Sequence, residues 1–178
     1  INLAEDAEAQ AGLLVKQAVI HEEHLADLQS AVECYVRLTE LQGDEPDTLM
    51  ALRRLYEALE QFDALREILE KQLAHCQSNQ DGKEEISVLL ALAHVLLDQL
   101  ADADSALTQV EVILEVQPDH NDARRVLESL IGDDALSVRV ALLLEPIYEA
   151  NEEWHAVINT LSVRLEAAED TDTRCTLL

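Results

Sequence analysis

Between Leu89 and Pro118, apolar residues recur at helical spacing in two runs separated by a short polar turn. Leu89, Leu92, Ala93, Leu96 and Leu100 fall three or four residues apart, which places them on one face of a helix. After the turn Ala101-Asp102-Ala103-Asp104, the residues Ala106, Val110, Ile113 and Leu114 continue the same spacing. The carboxylates of that turn suit the free N–H groups at the start of the second helix. Pro118, which has no N–H to donate, stops it. Ala93 and Ala106 are small enough to let the two backbones approach closely. The pattern predicts a helical hairpin.

The same pattern occurs 75 residues earlier. Leu14, Ala18, His21 and Leu25 match Leu89, Ala93, Leu96 and Leu100, so His21 takes a core position. Ala26-Asp27-Leu28-Gln29-Ser30-Ala31 shares four of six residues with Ala101 to Ala106. Cys34, Tyr35, Leu38 and Leu41 continue the second helix, and Gly43 stands where Pro118 does. Preserved phase on both sides of a shared turn marks an internal repeat. A further hairpin follows, opened by Glu45-Pro46-Asp47 with Pro near its first turn. Leu49, Leu52, Leu55, Tyr56 and Leu59 form one apolar face, and Phe62, Leu65, Leu69 and Leu73 form the other, ending near Cys76. Gln77 to Lys83 reads as an exposed loop.

Asp122 to Leu130 again lies 75 residues after Asp47 to Leu55. The shift then rises to 92: Tyr148-Glu149-Ala150 repeats Tyr56-Glu57-Ala58, and Trp154, Val157, Leu161 and Leu165 repeat Phe62, Leu65, Leu69 and Leu73. The 17 inserted residues lie at about Ile131 to Pro146 and read as one additional helix near 133–146, preceded by a turn at Gly132-Asp133-Asp134. Pro146, inside an apolar helical pattern, predicts a kink or a restart. Asp172 to Leu178 resembles the run into Leu89-Leu90, as if another first helix were beginning. The expected fold is all-α: an α-α superhelix of about nine to ten antiparallel helices forming a single repeat domain over 1–178, an excerpt of a longer array.

This arrangement resembles the tetratricopeptide repeat, a helix–turn–helix of about 34 residues. Leu92, Ala93, Leu96, Ala106, Val110 and Pro118 fill its pattern of large, small and aromatic or apolar slots; Tyr56, Tyr148, Ala31 and Tyr35 fill others. Arg53 and Glu145 stand where the family has a small residue, and Leu65 and Val157 replace the small residue of the second helix. Irregular repeats of this kind look like those of large bacterial scaffold proteins. The resemblance implies protein–protein interaction and no chemistry. It also implies a concave surface lined by the first helices. By register that surface includes Val15, Val19, Met50, Arg54, Leu90, His94, Leu97 and Leu142. This apolar stripe is either a partner groove or surface that curvature and neighbouring repeats bury.

Charge narrows the partner. The chain carries 37 acidic and 12 basic residues, a net −25. That argues against nucleic acid, whose phosphates need clustered Lys and Arg, and against an anionic membrane surface. A protein or peptide partner, amphipathic or basic, is compatible with it; the bland reading is a solvated surface. Arg53-Arg54 and Arg124-Arg125 are the basic doublets, either anchors for a partner's carboxylate or ordinary surface ion pairs. Cys34, Cys76 and Cys175 are far apart and form no CxxC, which points to a reducing compartment, the cytoplasm.

Candidate chemistry is sparse. His21 and His24 lie three apart and invite a metal reading, against the alternative of one packed and one solvated imidazole; the spacing is not HExxH. His75 and Cys76 are neighbours and point about 100° apart on a helix, which does not suit a nucleophile and its base. No phosphate-binding glycine motif is present. The reading is therefore a non-enzymatic interaction scaffold needing no cofactor. The alternatives are a structural spacer or self-assembly arm, which leaves homo-oligomers open, and a metal-binding or catalytic domain.

Overall fold

The computed structural model describes residues 3–168, with side chains from residue 7 onward. Regular structure among the described residues is entirely helical, in nine α-helices. These are α1 (Leu3–Val19), α2 (Leu28–Gln42), α3 (Pro46–Ala58), α4 (Phe62–Asn79), α5 (Gly82–His94), α6 (Ala103–Val116), α7 (Asn121–Leu130), α8 (Ser137–Ala150) and α9 (Trp154–Ala167). The chain divides into two compact units, residues 1–88 and 89–178, with the division inside α5. In the first, α1 packs on α2, α2 on α3 and α3 on α4; in the second, α6 packs on α7, α7 on α8 and α8 on α9. Within each of these runs, sequence neighbours are spatial neighbours, as a helical repeat requires. The segment Asp172 to Leu178 and Cys175 lie outside the described residues.

The internal repeat is visible in backbone detail. α1 and α5 each end in a five-residue π turn, Ile20–His24 and Val95–Gln99. Leu25 N–H donates to Ile20 O at 3.2 Å, and Leu100 N–H to Val95 O at 3.1 Å. Asp27 N–H reaches His21 O and Asp102 N–H reaches Leu96 O, each at 2.8 Å. Ala26 and Ala101 share φ 53°, a left-handed conformation that reverses the chain. Asp27 then accepts from Ser30 N–H at 3.2 Å and Asp102 from Ser105 N–H at 3.1 Å, the capping expected of those turns. The repeat at shift 92 has its own turn. Glu60 and Glu152 are left-handed at φ 55° and 59°, and Gln61 N–H to Tyr56 O (3.0 Å) matches Glu153 N–H to Tyr148 O (2.9 Å).

Small residues hold the hairpins close. Ala18, Ala31, Ala93 and Ala106 are all fully buried. Around the first pair the core of the first unit gathers Val32, Tyr35, Leu38, Leu49, Leu52, Leu55 and Ile68. In the second unit Leu107, Val110, Ile113, Leu127, Val140 and Leu144 are fully buried. Gly43, where α2 stops, has φ 87° and ψ −168°, a region nearly closed to residues with a Cβ. Pro46 opens α3, and α6 stops two residues before Pro118.

Four details differ from expectation. The π turn inserts an extra residue into the helical phase, so Leu25, expected on the core face, is 61% exposed. His21 is only half-buried where its counterpart Leu96 is buried. The loop expected from Gln77 to Lys83 shrinks to Gln80 and Asp81. Ser78 Oγ donates to Ala74 O at 2.8 Å, and left-handed Gln80 closes the helix with Asp81 N–H on Cys76 O at 3.1 Å. Finally, the additional helix is present as α8, but it runs through Pro146 to Ala150 without restarting. Proline there removes the bond to the carbonyl of Leu142, four residues back, on a part of α8 where Leu142 is exposed.

The departures from the small-residue pattern are also accommodated. Glu145 on α8 is paired with Arg164 of α9, so a charge at the helix contact is neutralised. Leu65 and Val157 are simply buried.

Candidate functional site: clefts beside α3

The first unit carries two clefts that flank α3 and share Ala51. One, of about 430 Å³, is bordered by Val15 of α1, Tyr35 and Leu38 of α2, and Thr48 of α3. The other, of about 480 Å³, lies among Met50, Arg53 and Arg54 of α3, Gln72 of α4, and Glu84 and Val88 of α5. A smaller pocket of about 210 Å³ shares Met50, Gln72 and Glu84 with it and adds Leu49, His75, Cys76 and Asp81. In the second unit, a cleft of about 410 Å³ is lined by Glu111, Leu114 and Pro118 from the α6 side and Leu143, Pro146 and Ile147 of α8.

The eight residues expected on the concave surface separate accordingly. Met50 and Arg54 line one cleft beside α3 and Val15 the other. Met50 is 60% exposed and Val15 40%, so both present apolar surface to water. Val19 is half-buried at the end of α1. Leu90, His94, Leu97 and Leu142 belong to the second unit. Leu90 and Leu97 are half-buried; His94 is exposed, with Nδ1 3.6 Å from Asp98 Oδ2. Leu142 is exposed on α8, whose cleft is lined by Leu143 instead.

Both basic doublets are ion-paired within the chain. Arg53 Nε sits 3.1 Å from Glu57 Oε1. Arg54 grips Glu22 of the first π turn through both terminal nitrogens, one bond measuring 2.8 Å. Arg125 pairs with Asp122 at 2.8 Å. Arg124 binds Glu128 (2.8 Å) and both oxygens of Glu153 (2.6 and 2.7 Å), and its guanidinium lies 5.0 Å from the Tyr148 ring centroid. The surface-ion-pair alternative describes them. Arg139, which the pattern does not single out, joins α8 to Asp104 (2.9 Å) and Glu111 (2.6 Å from Nε) of α6.

His21 Nδ1 lies 3.7 Å from Asp27 Oδ2, and His24 is exposed. No group of three or more His, Cys, Asp or Glu among the described residues is placed to hold a metal ion. Burial pushes the Cys34 and Cys76 thiols above the ordinary range, and the carboxylates of Glu84, Asp81 and Glu85 push Cys76 further the same way. Both stay protonated at neutral pH, the unreactive form. No helix among the described residues is long and apolar enough to cross a membrane.

The spacing of apolar residues does not single out Gln72. It is 9% exposed, and its Oε1 is buried without a hydrogen-bond partner. The signal was in the spacing: α4 buries Leu65, Ile68, Leu69, Gln72 and Cys76. The face drawn through Phe62 and Leu73, both only half-buried, missed the polar residue in that stripe.

No protein-family model and no curated protein matches the chain. Among solved structures it is similar to the crystal structure of YrrB, described as a TPR protein with an unusual peptide-binding site. The two share 14% identity over 92% of this chain and 89% of that one, with a TM-score of 0.42.

Proposed function

We propose that the chain is a non-enzymatic protein-interaction scaffold whose first unit holds a segment of a partner protein in the clefts beside α3. The observation that carries this reading is the exposure of Met50 and Val15 at the edges of two clefts that share Ala51. Apolar side chains beside concave surface gain about 25 cal/mol for each Å² that a partner removes from water. Glu45, Asp47, Glu57 and Glu84 border the same clefts, and the chain's net charge is −25, so a partner with an apolar face and basic flanks is favoured over an acidic one. The arginines there are engaged by Glu57 and Glu22. On this reading the part of the expected stripe that binds is the part beside α3, Val15, Met50 and Arg54.

A photo-crosslinking residue placed at Met50 tests this in the native host. Adducts with one partner protein are expected from position 50 and not from Leu41, which is exposed on α2. Equal adducts from both positions, or none from position 50, would refute the reading. Self-assembly is the second reading, favoured by Trp154 and Ile158, large apolar residues exposed one helical turn apart on α9. In that case the crosslinker at Trp154 joins two copies of the chain.

A further inference from the structure

The pocket between α3, the end of α4 and the start of α5 is smaller than the clefts and adds Leu49, Cys76 and Asp81 to the Met50, Gln72 and Glu84 that it shares with one of them. Its volume is about 210 Å³, below the roughly 300 Å³ at which pockets for whole small molecules begin. That size suits one side chain. Leu49, Met50 and Cys76 give it apolar wall, enough to receive an aliphatic stem. Asp81 and Glu84 line it as well, no Lys or Arg is among its lining residues, and His75 Nε2 lies 2.8 Å from Asn79 Nδ2. Gln72 also lines it, with an amide oxygen that has lost water and gained no donor. Buried polar atoms in folded proteins nearly always have a partner, and one without invites a donor from outside.

We infer that this pocket receives a cationic side chain, lysine or arginine, from the bound partner, with the stem against Leu49 and Met50, an N–H donated to Gln72, and the charge facing Asp81 and Glu84. This rests on the peptide-scaffold reading and specifies the partner's chemistry. Every requirement is complementary: an apolar stem, a donor for an orphaned acceptor, and positive charge for two carboxylates. An acidic side chain would meet like charge, and a purely aliphatic one would leave Gln72 unsatisfied. The electrostatics agree, since Glu84, Asp81 and Glu85 already disfavour a negative charge on Cys76.

The test is an NMR titration of the intact, isotope-labelled chain with Nα-acetyl-lysine N-methylamide, its arginine analogue and its norleucine and glutamate counterparts. Saturable shifts at the Gln72 side-chain amide and at the Cys76 and Glu84 backbone amides are expected with the lysine or arginine probe. Norleucine and glutamate should bind at least tenfold more weakly. Glu84→Gln, a change on an exposed residue, should weaken the cationic probe several-fold while leaving the rest of the spectrum in place; Gln72→Leu should do the same. Absence of saturable shifts with both cationic probes, equal binding of norleucine or glutamate, or indifference to both variants would overturn the inference. Crosslinking of a partner at position 50 without cationic-probe binding would remove this inference alone. Probe binding without a crosslinked partner would remove the scaffold reading, and with it the partner as the source of the side chain, leaving only a pocket selective for a cationic group.

Discussion

Truncating Leu144 to alanine is expected to cost about 2–5 kcal/mol of stability, the range for deleting a well-buried leucine side chain. Leu144 is 0% exposed on α8, a helix packed between α7 and α9. The loss combines the transfer energy of the removed carbons with the cavity they leave. Because a domain's total stability is about 5–15 kcal/mol, the change is a large share of it. Leu142 on the same helix is 50% exposed and serves as control: Leu142→Ala should stay within roughly 0.5 kcal/mol. Urea denaturation followed by circular dichroism reads both. Equal midpoint shifts would mean that α8 packs through a different face.

The second large effect is expected at Arg124. It links Glu128 on its own helix to Glu153 at the start of α9 and lies against the ring of Tyr148, whose hydroxyl donates to Glu128 at 3.2 Å. Arg124→Met removes the charge and leaves two carboxylates close to a buried phenol, in a chain already at −25. The loss should be several-fold that of Arg125→Met, whose exposed guanidinium has one close partner, Asp122, three residues back on the same helix. Hydrogen bonds from Arg124 hold the Glu153 carboxyl below its ordinary pKa. A depressed folded-state pKa means that the pair stabilises fully above the ordinary carboxylate range and is lost as pH falls through the depressed value. The advantage of the parent over Arg124→Met should therefore be constant near neutrality and shrink below about pH 4. Carboxyl NMR provides the check: the Glu153 titration should move upward in Arg124→Met, and an unmoved titration would break the link.

Much of the fold was legible because it is local chemistry repeated. The turn at Ala26 to Ala31 and its copy at Ala101 to Ala106 announce a short reversal followed by an Asp cap, and the backbone carries out both, with alanine taking the left-handed position that composition does not signal. Aliphatic spacing names much of the core from Leu14 to Leu114, and misses Val140, Ala141 and Leu144 of α8. The π turns were hidden because a one-residue change in helical phase leaves no compositional trace. Spacing alone therefore puts Leu25 on the core face, whereas it is exposed. Pro146 reads as a kink or a restart because sequence weighs the lost hydrogen bond, whereas α8, packed against α7 and α9, continues through it without restarting. The site was less legible. Met50 and Val15 could be placed on first helices by register, but Gln72 acquires meaning only once α3, α4 and α5 surround it.

All of this depends on hairpins whose apolar faces are shielded by the next helix in file. In the first unit, Val32, Tyr35 and Leu38 of α2 are buried in one cluster with Leu49, Leu52 and Leu55 of α3. Amide hydrogen exchange on the intact chain and on a piece ending at Gly43, which keeps α1 and α2 but lacks α3, tests this most directly. The amides of Val32, Tyr35 and Leu38 should be protected in the intact chain and exchange near unfolded rates in the piece, whose helicity should melt without cooperativity. Retained protection and a cooperative melt in the two-helix piece would contradict the account, because each hairpin would then be stable without its neighbour.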